Sequence, residues 1–411
     1  MARRNLGRKF GWLWASYAVS AYGSGLGFGA VPLIAVLALE ASPGQVSALA
    51  AVGPAVGALL ALPLGPWVED RRKRPVMIAT DLVRFVAMLS VPLAYLLGVL
   101  SLVQLLVVTA VVAAAKIAFG AASGAYLKRV VRPADLMVAN ARFESTNWSS
   151  IAVGPPLGGA AVGLFGPVAS IAADAASYLL SALGIAAIRD REERPVGARP
   201  ASVSGLLDGW RFLWAHPGLR ALYANNVLVG GLIMATEPLL AVLLLRDLGF
   251  PPWQYGLAFA APCLGGLLGS RLAPRVVARF GRAKVIRVVG TLRAIWLVGL
   301  AFVPPGVAGL ITVIAVELAI IVSMSLYMPV LATYRLEELP PERVARALSA
   351  WSIGSGLAIA ALSALGGVLA DLTGPRTAIA VAGGLILLTP LLLPRARTIE
   401  RQSRPVCLSA K

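Results

Sequence analysis

Long apolar stretches alternate with short gaps along this chain, and its bases fall almost entirely into every second gap. Twelve stretches, at residues 11–38, 44–66, 75–98, 101–127, 138–164, 167–188, 219–245, 253–273, 283–303, 306–333, 344–370 and 375–394, carry this pattern. Each is long enough for a hydrocarbon core of about 30 Å, which an α-helix crosses in about 20 residues. The even gaps hold Arg71, Arg72, Lys73 and Arg74, then Lys128, Arg129 and Arg132, then the bases from Arg189 to Arg220, the cluster Arg275 to Arg287, and Arg335 with Arg343. The odd gaps hold only Arg246 and Arg376. Bases concentrate on the cytoplasmic side of membrane proteins, so both termini are predicted to be cytoplasmic.

Composition agrees, since 58% hydrophobic and 14% charged residues describe no soluble globular chain of this length. The net charge of +18 is then a topological signal. It suits the anionic surface of a lipid bilayer, at about 1 kcal/mol per base, better than nucleic acid. The first stretch is too long for the apolar core of a cleaved signal and is read as the first span. Cys263 and Cys407 form no disulfide framework and have no metal spacing. No cofactor is expected.

The stretch from Arg189 to Arg220 divides the spans into two sets of six. Residues 1–188 form the first expected lobe, 189–218 a linker, 219–394 the second lobe and 395–411 a short basic tail. Within the linker, Leu206, Trp210, Leu213 and Trp214 fall at helical spacing, which predicts a short amphipathic helix at the membrane surface. Aligning Arg84 with Arg293 superposes the basic gaps after spans two and eight, and Gly158 and Gly159 fall over Gly366 and Gly367. The expected fold is an all-α membrane protein of twelve transmembrane helices in two pseudo-symmetric six-helix lobes. Such parallel repeats place a transport site at their interface near the bilayer midplane.

Gly65-Pro-Trp-Val-Glu69-Asp70-Arg71-Arg72-Lys73-Arg74-Pro75 follows span two. It resembles the signature loop of the major facilitator superfamily, whose acidic and basic residues latch the two halves on the cytoplasmic side. The resemblance implies a latch of Gly65, Asp70, Arg71 and Arg74 with Asp81 and Arg84. In the second half Arg279 stands where Asp70 stands in the first, so the second latch is degenerate. Span five reads Ser150-Ile-Ala-Val-Gly154-Pro155-Pro156-Leu157-Gly158-Gly159 and is similar to the antiporter motif of proton-coupled drug exporters, with Ser150 at the first Gly. Its glycines allow two helices to approach, and Pro155 removes a backbone donor. Residues 1–220 resemble the branch of enterobactin, macrolide and tetracycline-type exporters.

Charges inside a span cost about 2.5 to 3.5 kcal/mol on insertion scales and need a partner, a water-filled cavity or a task. Lys116, Glu144, Asp174, Glu237 and Glu317 are such charges. The resemblance implies that spans one, four, seven and ten line a central cavity, which places Lys116, Glu237 and Glu317 there. Asn226, Gly230, Ile233 and Glu237 recur at helical spacing on span seven. Glu237 or Glu317 is expected to bind the coupling proton, with Lys116 pairing with one of them or meeting an anionic group on the substrate. Glu144 shares a face with Asn140, Asn147 and Gly154, where a cytoplasmic gate and proton carriage both remain open. Asp174 reads as structural. Tyr17 and Tyr22 on span one, and Tyr327 on span ten, offer stacking and hydrogen bonds to a bound compound.

His216 is the single histidine, and no nucleophilic triad or metal set assembles around it, so an enzyme is disfavoured. No phosphate-binding Walker loop is present, which leaves a proton gradient as the energy source. The sequence therefore predicts a monomeric, proton-coupled exporter of a small amphiphilic compound in the plasma membrane. Import of a nutrient or movement of a lipid by the same fold is the alternative, and a sensor without flux ranks last.

Overall fold

The structure, a computed structural model, describes residues 6–27, 29–69, 71–132, 135–188, 192, 203–339 and 344–394. The described residues are almost entirely helical and contain no strand. Among the described residues ten helices are long and apolar enough to cross a membrane, and a bent pair, Pro252–Gly266 with Arg271–Phe280, raises the number to as many as eleven. Their flanks carry large exposed apolar side chains such as Leu96, Phe165, Leu372 and Leu391. In water such a surface would aggregate; in lipid it is the solvated face.

The chain divides into two compact units. The first takes in residues 1–202 together with Ala241–Ala260. Its helices are α1 (Arg8–Leu26), α2 (Ala30–Leu37), α3 (Pro43–Glu69), α4 (Lys73–Leu96), α5 (Leu102–Val130) and α6 (Leu136–Ala186). The second takes in Val203–Leu240 and 261–411. The helices that follow α6 are α7 (Val203–Ala215), α8 (Pro217–Val242), α9 (Pro252–Ala260), α10 (Cys263–Phe280), α11 (Arg282–Ile295), α12 (Gly306–Glu338), α13 (Val344–Thr373) and α14 (Pro375–Ile386). Of these, α9 and the π-turn Leu243–Asp247 fall in the first unit, where α9 packs on α6 and the π-turn on α2.

Helix ends follow from the sequence. Ser101 caps α5 by accepting a hydrogen bond from the Gln104 amide at 3.3 Å, and Lys128 and Arg129 complement the dipole at its other end. α6 runs through two of the twelve apolar stretches, and its Leu157–Ala186 part is one of the ten candidate spans. It reverses at Gly166, with φ 80° and ψ 162°. The turn into α14 has nearly the same backbone at Gly374, φ 89° and ψ 155°. Gly98 and Gly306, at φ 70° and 73°, form a second such pair, with the same separation along the chain. L-residues pay about 1–2 kcal/mol in the left-handed region, so glycine holds these corners.

In the first unit α1 packs along α6, α4 on α5 and α6, and α3 on α5. Phe10, Leu13, Met77, Tyr126 and Ile185 are buried together in one core cluster. In the second unit α10 and α11 pack on α12, and α7 on α13. The linker segment 203–215 is thus a docked helix. Trp210 Nε1 donates to the Ala350 carbonyl at 3.0 Å, and Gly209 lets α7 meet the Arg346 backbone. After α11 the chain tightens into a 3-10 helix, Trp296–Phe302.

Candidate functional site

In the first unit the motif on α6 meets the backbones of two other helices, α1 and α9. A Cβ on Gly154 would lie 2.5 Å from Gly25 Cα of α1, and one on Gly25 would lie 2.8 Å from the Ser150 carbonyl. Gly158 abuts the Leu26 carbonyl. Gly159 faces α9 instead, where a Cβ would meet Pro252 O at 3.1 Å and Gly256 Cα at 3.2 Å. The four glycines therefore form a seam without side chains, and only glycine fits where the separation is under 3 Å. Ser150 is buried and donates to Asn147 O at 2.8 Å. Glu144 and Pro155 lie on α6, with side chains outside the described residues.

Beneath that seam is a buried charge network. Arg84 pairs with Asp81 one turn earlier on α4, and Asp81 Oδ2 accepts from Ser181 Oγ at 2.7 Å. The Arg84 guanidinium lies 4.7 Å from the Phe119 ring centre and 4.5 Å from that of Tyr178. Asp174 is within electrostatic reach of Arg84 and accepts from Ser24 Oγ at 3.1 Å, and Ser24 shares a 2.9 Å hydrogen bond with Tyr178. Asp174, read from sequence apart from Asp81 and Arg84, thus belongs with them to one cluster tying α1, α4, α5 and α6 together.

Arg74 closes the end of α6. Its Nε and Nη2 donate to the carbonyls of Ile185 at 3.1 Å and Ala186 at 2.6 Å. Its backbone N–H donates to Glu192 Oε2 at 2.9 Å, while Glu192 Oε1 lies 3.6 Å from Arg129. Glu192 escaped the sequence reading; its only signal was a carboxylate inside a basic linker. Arg71 stacks on Trp67 at 4.3 Å. Gly65 lies on α3, and Asp70 lies outside the described residues.

The aromatic residues of α1 turn to α6. Tyr17 meets Phe143 edge-on at 4.7 Å, Tyr22 Oη shares a 2.8 Å hydrogen bond with Ser149 Oγ, and Trp14 donates to Thr146 Oγ1 at 3.0 Å. Tyr17 is half-buried, and Tyr22 and Lys116 are exposed.

The second unit brings two carboxylates together. Glu237 on α8 is exposed and Glu317 on α12 is half-buried, and they lie within electrostatic reach of each other and of the Cys263 thiol on α10. A buried cation on a third helix reaches α8 and α12 at other positions. Arg293 of α11 donates to Asn225 Oδ1 and, at 3.5 Å, to the half-buried Asn226, and its guanidinium covers the Tyr327 ring at 3.7 Å. Asn225 in turn donates to the Thr389 carbonyl at 2.7 Å. Arg293 and Tyr327 are both fully buried, and no carboxylate pairs with Arg293 among the described residues. Sequence reasoning found Asn226 and Tyr327 and missed Asn225; it used Arg293 only as an alignment mark.

The second unit thus offers two neighbouring carboxylates in an accessible position, and the first a packed seam between helices. The Major Facilitator Superfamily family model matches residues 13–334 and again 233–407. Over 281 residues the chain is 30% identical to Multidrug efflux pump Tap of Mycolicibacterium fortuitum, covering 65% of this chain and 66%, just under two thirds, of the relative. It is 29% identical over 322 residues to the pump of the same name in Mycobacterium tuberculosis (strain ATCC 25618 / H37Rv), covering 74% of each. Among solved structures, a bacterial homologue of the iron transporter ferroportin in its inward-facing state gives a TM-score of 0.75 at 18% identity, over 97% of this chain and 99% of that one. The nucleoside transporter NupG gives 0.74 at 11% identity, over 97% and 100%. At these identities the structures speak to fold alone.

Proposed function

This chain belongs to the Major Facilitator Superfamily, and we propose that it exports a small amphiphilic compound in exchange for protons by alternating access. The compound would be a drug, an endogenous antibiotic or a siderophore. The protein would work as a monomer in the plasma membrane, with twelve spans and both termini in the cytoplasm.

The observation that carries proton coupling is the pair Glu237 and Glu317. They sit on different helices of one unit, accessible, and close enough for each to feel the other's charge. Two neighbouring carboxylates disfavour double ionisation, so the binding of a proton, or of a cationic group, relieves their repulsion. Exchange between those two occupants is the chemistry of an antiporter. The outward direction is supported by relatives named as multidrug efflux pumps and by the antiporter motif. Tyr17, Tyr22 and Lys116, all in the first unit, are proposed as contacts for the compound, Lys116 for an anionic group on it; Tyr327, fully buried beneath Arg293, has no surface left to meet a compound.

The test is dye efflux from liposomes containing the purified protein, driven by an imposed pH gradient. Ethidium extruded against its own gradient, and only when the pH gradient is present, is the expected result. Uptake in the same direction as the proton flow would make the protein a symporter and remove the reading.

A further inference from the structure

A groove of about 1040 Å³ runs along the flank of the first unit, walled by α3, α4 and α5. Its walls are apolar, with Ala79 and Val83 from α4 and Val111 and Ala115 from α5. One end is cationic, formed by Arg71 and Arg72 where α3 gives way to α4, with Trp67 beside them. Ala79, Val83 and Val86 are all exposed along one stripe of α4, so the groove opens sideways.

The division of labour among the four bases of this turn is informative. Lys73 Nζ donates to the carbonyls of Val68 at 2.8 Å and Arg71 at 2.7 Å, and Arg74 is engaged by the end of α6. Arg71 and Arg72 are the two that line the groove, and both are exposed. From Arg72 to Val83 the helix rises about 16 Å. One leaflet of hydrocarbon is about 15 Å thick. The groove therefore has the length of one acyl chain, apolar walls along that length, two guanidiniums at its end and an indole of the kind that sits among lipid headgroups.

We propose that this groove binds an anionic phospholipid, its phosphate held by Arg71 and Arg72 and one acyl chain laid along α4 between α3 and α5. Guanidinium forks match phosphate oxygens, and an acyl chain fits a trough lined by the apolar side chains of the described residues. The inference depends on the membrane setting and is read by binding, so its failure is separable from a failure of the export reading.

Native mass spectrometry of the purified full chain, released from detergent after addition of lipid, tests it. Phosphatidylglycerol, phosphatidylcholine of the same chains and chain-free glycerol phosphate are compared. Each arginine is worth about fivefold in retention, so the pair should favour phosphatidylglycerol by roughly 25-fold. Arg71→Gln with Arg72→Gln should abolish that preference and leave phosphatidylcholine unchanged. Ala79→Trp, which fills the groove, should displace both lipids. Should the double variant fail to fold, Arg72→Gln against Arg72→Lys decides, the first losing about fivefold and the second keeping most of the preference. Equal retention of the two lipids, a preference that survives the arginine substitutions, or competition by glycerol phosphate as strong as that of the whole lipid would each overturn the proposal.

Discussion

The guanidinium of Arg293 lies 3.7 Å above the Tyr327 ring, as the guanidinium of Arg84 lies 4.7 Å from Phe119. The two arginines are the residues that superpose when the halves of the sequence are aligned, and each stacks on an aromatic residue of a later helix in its own unit. Their counter-charges differ. Arg84 has Asp81 one turn before it, and the corresponding position before Arg293 is Gly290, where a Cβ would crowd Tyr327 at 3.2 Å. The second unit has exchanged a carboxylate for a closer ring and two asparagines.

Removing one member of a buried ion pair leaves an uncompensated charge, at about 3–5 kcal/mol. Asp81→Ala should therefore lower the thermal midpoint in detergent more than Arg293→Met. The latter strands only neutral amide acceptors, at about 1–3 kcal/mol. Unfolding curves followed by a thiol-reactive or intrinsic fluorescence probe would rank the two; the reverse order would mean that Arg293 carries more of its unit than Arg84 does.

On α6, glycines on one helix can be set against each other. Gly154→Ala places a methyl 2.5 Å from Gly25 Cα, which overpacks the seam by about 1–3 kcal/mol. Gly163→Ala meets nothing within 4 Å and should gain slightly from helix propensity, by up to about 1 kcal/mol. Opposite shifts of the thermal midpoint are expected, together with loss of dye efflux only in the first variant.

Glu237→Gln and Glu317→Gln, made separately, should each reduce gradient-driven dye efflux by at least about tenfold, the scale of one lost coupling interaction of roughly 1.4 kcal/mol. Because each carboxylate feels the other, the double variant should fall short of the product of the two single effects. Transport rates at a fixed pH gradient check this, and unchanged rates in both single variants would remove these residues from coupling.

His216 closes the start of α8. Its Nδ1 accepts the Leu219 amide at 3.2 Å, while Nε2 lies 3.2 Å from Glu338. His216→Ala should cost about 1 kcal/mol, the usual worth of a helix cap, and His216→Asn should restore part of it because Asn caps well. Thermal midpoints of the two variants, compared with a Glu338→Gln background, would separate capping from the contact with the carboxylate.

Hydropathy made the apolar helices legible, because lipid imposes its length and polarity on every span. Glu237 and Glu317 were also visible, since carboxylates inside apolar stretches stand out. That they lie near each other was not, because proximity between residues so distant in sequence is decided by packing. Asn225 shows the limit more sharply: it and Asn226 are adjacent and chemically identical, and only the rotation of α8 turns one fully toward Arg293. Glu192 was hidden for a different reason. It lies in a segment whose composition reads as linker, and its anchoring role comes from the start of α4 and from Arg129, neither of which periodicity can link to it.

The 3-10 segment after α11 has a bearing on how the chain reaches its corner at Gly306. From Arg293 to the corner at Gly306 there is one residue fewer than from Arg84 to the corner at Gly98. A 3-10 helix rises about 2.0 Å per residue against about 1.5 Å for an α-helix, so a seven-residue stretch gains roughly 3.5 Å. Winding Trp296–Phe302 more tightly thus more than makes good the length of the missing residue. The tighter winding lets the shorter stretch span at least the same length before its corner glycine. Restoring one alanine within that segment should let it relax toward α-helical winding while the loop beyond it stays where it is.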